Sequence, residues 1–155
     1  LLENNAKEFS LNQVPYSLLD RRYEGKTLDL CKKNGLQYMA FSPTAQGLLA
    51  RPMKDRDLEM PTRKINHLFQ PSTYPEAKKV WEVVRIIANE LGRNPVEIAV
   101  AWVLKQKNIF TAIVGSRHPS QIEEFSRAGN VQLSMEHLTR LTEASDAFPS
   151  VKIRS

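Results

Sequence analysis

The chain has 155 residues, 41% hydrophobic and 25% charged, with 22 Lys and Arg against 17 Asp and Glu and a formal net charge of +5. That length supports one ordinary domain with its own core, and that composition excludes a disordered or low-complexity polymer. No apolar run approaches the roughly 20 residues of a membrane span, and Cys31, the lone cysteine, rules out an internal disulfide and a cysteine zinc cluster.

The positive balance suits an anionic partner, either a phosphorylated small molecule or nucleic acid, unless it is simply a solvated basic surface. No block of five or more Lys and Arg occurs and no nucleic-acid motif accompanies the charge. The expectation is therefore a small phosphorylated ligand, no nucleic acid and no membrane. The first residues, Leu1-Leu2-Glu3-Asn4-Asn5, turn polar too soon for a signal peptide. They also lack an initiator methionine, so a processed product or a piece of a longer chain is expected, in a reducing cytoplasm.

In chain order, residues 12–16 (NQVPY) read as a short strand whose end is marked by Pro15. Residues 24–34 follow as a helix with Leu28 and Cys31 inward and Gly35 as its left-handed stop. The run LQYMAFS (36–42) reads as a parallel strand buried on both faces. Residues 43–72 lack a steady period; a connection that long is often functional.

Thr73 and Glu76 have capping-box spacing, with Pro75 in the first turn. Behind them Ala77, Val80, Trp81, Val84, Ile87, Ala88 and Leu91 repeat at three and four up to Gly92. Asn94-Pro95 opens a second helix to about Gln106, apolar on nearly all sides and so expected to be deeply packed. A third strand is expected at 111–114, then a Pro119 helix with Ile122 and Phe125 inward, and a last helix capped by Ser134. Strands alternating with helices imply a parallel sheet of an α/β fold.

The junction Gly115-Ser116-Arg117 stands between the third strand and the Pro119 helix. A helix N-terminus presents unpaired N–H groups, glycine permits close approach, a serine hydroxyl donates, and a guanidinium forks onto phosphate. That chemistry suits a phosphomonoester; the alternative is a plain turn with a solvent-facing arginine. The stretch is neither G-x-G-x-x-G nor a Walker loop.

Read together, NQVPYSLLDRR (12–22), AFSPTAQGLL (40–49) and AIVGSRHPSQIEE (112–124) resemble the C-terminal part of the aldo-keto reductases. NPVEIAVAWVLKQ (94–106) and LSMEHLTRLTEAS (133–145) resemble the two helices that accompany those segments in the family. The resemblance runs from about Asn12 to Ala147. It implies a (β/α)8 TIM barrel, of which 1–155 is a single, partial segment with about three parallel strands and flanking helices. It also implies that 43–72 is a long loop over the cofactor site.

The implied cofactor is NADP(H). Gln13 matches the glutamine that holds the nicotinamide carboxamide, and Phe41 stands where the family has a ring-stacking tyrosine. Ser42, Pro43, Thr44, Gly47 and Leu48 match the turn around the pyrophosphate. Gly115, Ser116, Arg117 and Gln121 match the loop around the adenosine 2′-phosphate, and Glu124 the residue facing the adenine amine. Arg51-Pro52, with Lys54 nearby, replaces the family's glycine and lysine, and Phe125 replaces an asparagine.

The family's acid tyrosine and its Asp, Lys and His companions belong to a D-x-x-x-x-Y-G segment and neighbouring strand ends that this sequence lacks. The expectation is no catalytic residue and no metal ligand in the chain. The resemblance then implies an NADPH-binding portion that reduces small aldehydes or ketones once completed by an N-terminal barrel half or a second copy. A non-catalytic nucleotide-binding remnant and a structural interaction module stay open as alternatives.

Overall fold

The computed structural model describes residues 10–149; the polar start at Leu1–Asn5 and both ends of the 1–155 segment lie outside that range. Strands β1 (Leu11–Pro15), β2 (Gln37–Phe41) and β3 (Ile109–Ile113) form one parallel sheet in chain order. Parallel neighbours need crossover connections. Helix α1 (Lys26–Lys33) joins β1 to β2, while two short helices, α2 (Asp55–Leu58) and α3 (Pro61–Lys64), precede the long α4 (Tyr74–Leu91) and α5 (Pro95–Leu104) on the way to β3. Helices α6 (Pro119–Ala128) and α7 (Met135–Ala147) follow. This is the α/β arrangement of three parallel strands with flanking helices that the sequence implies.

Register fixes which strand ends meet. Pro15 pairs with Phe41, and Phe41 with Ile113, so the three C-terminal tips lie side by side. One sheet face is sealed: Val14, Tyr38 and Ala40 are buried against the helices. The opposite face carries Leu11, Gln13, Met39, Phe41, Thr111 and Ile113, with Leu11 and Ile113 still 36% and 39% exposed. Residues 36–42 were expected to be buried on both faces. Among the described residues no second layer covers Met39 and Phe41, so only one face is.

Helix α5 is the hub. Every side chain from Val96 to Val103 is buried, because the helix packs at once against β3, α4 and α6. Trp102 is fully buried, stacks on Tyr16 at 5.9 Å, and its indole N–H donates to Thr142 Oγ1 at 3.2 Å. That one side chain joins α5, α7 and the turn after β1. The same turn is clamped from α7, where Ser145 Oγ donates to the Leu18 carbonyl at 2.7 Å and Arg21 reaches Asp146.

Caps and stops follow the sequence in part. Gly92 ends α4 at φ 61°, and Ser134 and His137 exchange a capping box at the start of α7. Thr73, by contrast, accepts no bond from its helix, so its capping-box spacing stays unused. The inward stripe of α6 runs through Phe125 and Ala128, which leaves Ile122 62% exposed instead of inward. The expected loop 43–72 holds α2, α3 and two 3-10 turns, Ala45–Gly47 and His67–Phe69.

Glu97, 2% exposed, links α5 to the end of α6 through Arg127 at 2.9 Å, with Arg93 further off at 3.7 Å. A buried carboxylate deprived of its partner is costly. Arg127→Ala is therefore expected to lower stability by about 2 kcal/mol, seen as a reduced urea midpoint with an unchanged slope.

Candidate functional site

Beyond the tip of β2 the backbone turns through the left-handed region, with φ of 54° at Ser42, 49° at Ala45, 56° at Gln46 and 93° at Gly47. Three of these are not glycine, a strain of the kind that persists where the surroundings over-determine it, commonly at ligand sites. The turn is held by Ala45 N–H to the Ser42 carbonyl at 2.9 Å and Gly47 N–H to the Thr44 carbonyl at 3.0 Å. It forms one wall of a cavity of about 730 Å³.

The facing wall is the tip of β3 and the start of α6: Gly115, Arg117, Gln121, Glu124 and Phe125. Here Gln121 Oε1 accepts from the Arg117 and His118 amides at 2.7 and 3.2 Å, which fixes the loop to the first turn of the helix. Glu124 accepts from Asn94 Nδ2 at 3.1 Å, tying the start of α5 into the same wall. Among the described residues no carboxylate pairs with the Arg117 guanidinium. It faces the cavity as an exposed cation.

Nine of the twelve residues singled out from the sequence line this cavity: Phe41, Ser42, Pro43, Thr44, Gly47, Gly115, Arg117, Gln121 and Glu124. The other three lie elsewhere. Gln13 is exposed on the open face of β1, across from Met39, and lines neither this cavity nor the one at the tip of β1. Leu48 turns inward and borders a small separate cavity with Met53 and Trp81. Ser116 lies outside the lining, and its hydroxyl donates to the His118 carbonyl at 2.7 Å.

Two cations complete the lining, Arg51 and Arg63. The first stands with Pro52 where the resemblance implies a glycine and a lysine, so an arginine side chain reaches the cavity at that position. Arg63 lies in the aperiodic stretch, where spacing carries no information. Its guanidinium donates to the Asp57 carbonyl at 2.9 Å and the Gln46 carbonyl at 3.2 Å, and sits 5.1 Å over the Phe69 ring. So α3 is fastened to the left-handed turn by a single side chain.

Asp57 anchors the same segment. Its carboxylate accepts from Arg51 at 2.8 Å and from the Lys54 amide at 3.0 Å. Those hydrogen bonds, Arg51 first, hold its pKa far below the ordinary carboxylate range.

A second cavity of about 540 Å³ opens on the other side of Phe41 and shares Phe41, Ser42 and Gln46 with the first. Its walls are the turn after β1, with Asp20 and Arg22, and the segment before α4, with Thr62, Asn66 and His67. The three strand tips thus serve two adjoining spaces, β2 and β3 the first and β1 and β2 the second.

Tyr16, just past the tip of β1, and Tyr38, near the start of β2, serve the fold. Tyr16 gives its hydroxyl to Glu24, and burial, reinforced by that bond, pushes its pKa far up. Tyr38 donates to the Tyr23 carbonyl at 2.8 Å. Among the described residues no group of His, Cys, Asp and Glu is placed to hold a metal ion, and no helix is long and apolar enough to cross a membrane.

The chain belongs to the aldo/keto reductase family, whose model matches residues 1–146. It is 30% identical over 142 residues to the NADH-specific methylglyoxal reductase of Escherichia coli K12, covering 91% of this chain and 43% of that protein. It is 28% identical over 141 residues to the L-glyceraldehyde 3-phosphate reductase of Escherichia coli O157:H7, covering 86% of this chain and 40% of that one. Among solved structures, a thermostable aldo-keto reductase in complex with the inhibitor epalrestat superposes with a TM-score of 0.61 at 21% identity, covering 86% of this chain and 39% of that chain. The fold is therefore that of part of a barrel, and the chain spans about two fifths of the length of these relatives.

The depressed pKa of Asp57 has a definite sign. Its contacts contribute stability above the ordinary carboxylate range, and that contribution is lost as pH falls through the lowered value. Asp57→Asn is expected to speed amide exchange across 51–63 about tenfold at neutral pH. Exchange in α4 and α5 should stay unchanged. Hydrogen exchange followed by mass spectrometry of wild type and variant measures both.

Proposed function

We propose that this chain is the NADP(H)-binding portion of a carbonyl reductase, with the dinucleotide lying along the 730 Å³ cavity. The volume falls in the range of roughly 300–1,000 Å³ common for small-molecule sites. The observation that carries the reading is the presence, in one cavity, of an aromatic face at Phe41 and a guanidinium at Arg117 with no carboxylate partner among the described residues. The left-handed turn and two further cations, Arg51 and Arg63, line the same cavity. A flat ring, a pyrophosphate dianion and a phosphomonoester are the three chemistries such a lining suits.

Phe41 gives the nicotinamide a flat surface, and Thr44 and Gly47 give the pyrophosphate a close backbone approach. Arg51 and Arg63 offset its charge. Arg117 takes the 2′-phosphate, with Gln121 holding the loop in shape, and Glu124 faces the adenine. Gln13 reaches the carboxamide from β1. When bound, NADPH supplies hydride to a carbonyl carbon.

The acid that protonates the carbonyl oxygen belongs, on this reading, to a barrel half outside the chain or to a second copy. The open sheet face and the short span relative to the curated relatives support that division. The substrate is a small aldehyde or ketone, nucleic acid and membrane play no part, and the lone Cys31, buried and unpaired, suits the cytoplasm.

The relative named as NADH-specific makes the 2′-phosphate the point to test. Loss of a charge-assisted pair costs about 1.5–3 kcal/mol, so Arg117→Ala is expected to weaken NADPH binding roughly tenfold to a hundredfold. NADH binding should not change. Calorimetric titration of both nucleotides decides it, and equal affinities in the wild type would contradict the assignment.

A further inference from the structure

We infer that Asn94, at the start of α5, acts with Glu124 to read the base of the dinucleotide, so that the site takes adenine and rejects a purine carrying oxygen at the same position. The inference rests on the cofactor reading above, since both side chains line the cavity assigned to the dinucleotide. It adds a residue from another helix. Phe125 stands where the resemblance implies an asparagine, and the amide beside Glu124 comes from Asn94 instead.

Asn94 holds the N-cap position of α5, with extended backbone at φ −80° and ψ 146°, yet its side chain makes no bond to the first turn of its own helix. An N-cap asparagine ordinarily accepts from that turn. Here the amide reaches across to α6, where Nδ2 donates to Glu124 Oε1 at 3.1 Å. Asn94 is exposed and Glu124 half-buried. Among the described residues no lysine, arginine or histidine pairs with Glu124. One bond between the two side chains leaves the carboxylate able to accept from a ligand through Oε2, and the amide able to donate its second proton.

That acceptor and donor match one purine edge. Adenine presents its amino donor beside the N7 acceptor, whereas a 6-oxo purine presents two acceptors there. Glu124 accepts from the amino group and Asn94 donates to N7. Phe125, Pro95 and Val96, in the same lining, give the ring apolar surface. With oxygen in place of the amine, the carboxylate meets a second acceptor, and neither oxygen recovers the hydrogen bond it made to water.

The test titrates the intact chain by calorimetry with NADPH and with its hypoxanthine analogue, in which oxygen replaces the adenine amine. NADPH is expected to bind about tenfold or more tightly. Asn94→Ala removes a side chain that caps nothing in its own helix and should cut that preference severalfold. Glu124→Gln, which can turn an N–H toward the oxygen, should abolish or reverse it. Arg117→Ala should weaken both nucleotides by the same factor, because both carry the 2′-phosphate.

Failure of NADPH to bind would overturn both this inference and the reading it rests on. Normal NADPH binding without preference over the hypoxanthine analogue, or a preference that Asn94→Ala leaves unchanged, would overturn this inference alone. Asn94→Ser, a good N-cap that lacks the amide, repeats the test if the alanine variant does not fold.

Discussion

The parallel register that places Phe41 between Pro15 and Ile113 is the constraint on which the site depends. Hydrogen bonding between strands allows few alternatives once one face is sealed, since a shift of one residue would turn Tyr38 and Ala40 out of the core. With the register fixed, the chain leaving β2 and the chain leaving β3 emerge at the same height. The left-handed turn at 42–47 and the loop at 115–118 then face one another across a cleft. Helix α5, buried along its length, keeps the two walls apart, and Glu97 and Glu124 bind it to α6 through Arg127 and Asn94.

Charge is distributed unevenly over this frame. Most guanidiniums are spent on the fold: Arg21 on Glu24 and Asp146, Arg22 on Asp20, Arg127 on Glu97. Arg63 fastens the aperiodic segment, and Arg51 is shared between Asp57 and the cavity. Arg117 has no such carboxylate partner among the described residues. The net charge of +5 is thus a poor guide by itself. What matters is that Arg117 stands unpaired in the lining of one cavity, while the neighbouring cavity holds Arg22 paired with Asp20.

The sequence made much of this readable because the elements are locally specified. Helix α4 shows its period and its Gly92 stop, and α5 shows its all-round burial. The strand-to-helix junctions at 41–44 and 115–121 show their residue types directly. Other features depend on partners far along the chain. Nothing near Arg63 reveals that it will meet Gln46 and Phe69, and nothing near His67 reveals Arg22. Ile122 reads as inward from spacing alone, yet the orientation of α6 is set by Arg127 and Ala128 at its far end. The partial burial of Met39 and Phe41 could not be read from an apolar run, because it depends on what lies opposite the sheet. Gln13 matches its motif and shares the open sheet face with Phe41, yet it lies outside the lining of the cavity that holds nine of the twelve matched residues.

The central claim is that Arg117 and the β3 tip hold the 2′-phosphate of a pyridine dinucleotide. Phosphorus NMR of NADPH titrated with the chain tests it most directly, since the monoester and the pyrophosphate resonate separately. The account predicts that the 2′-phosphate signal shifts on binding and that its second ionisation moves to lower pH, as a guanidinium stabilises the dianion. A 2′-phosphate signal that titrates as in free NADPH while the pyrophosphate signals move would contradict it.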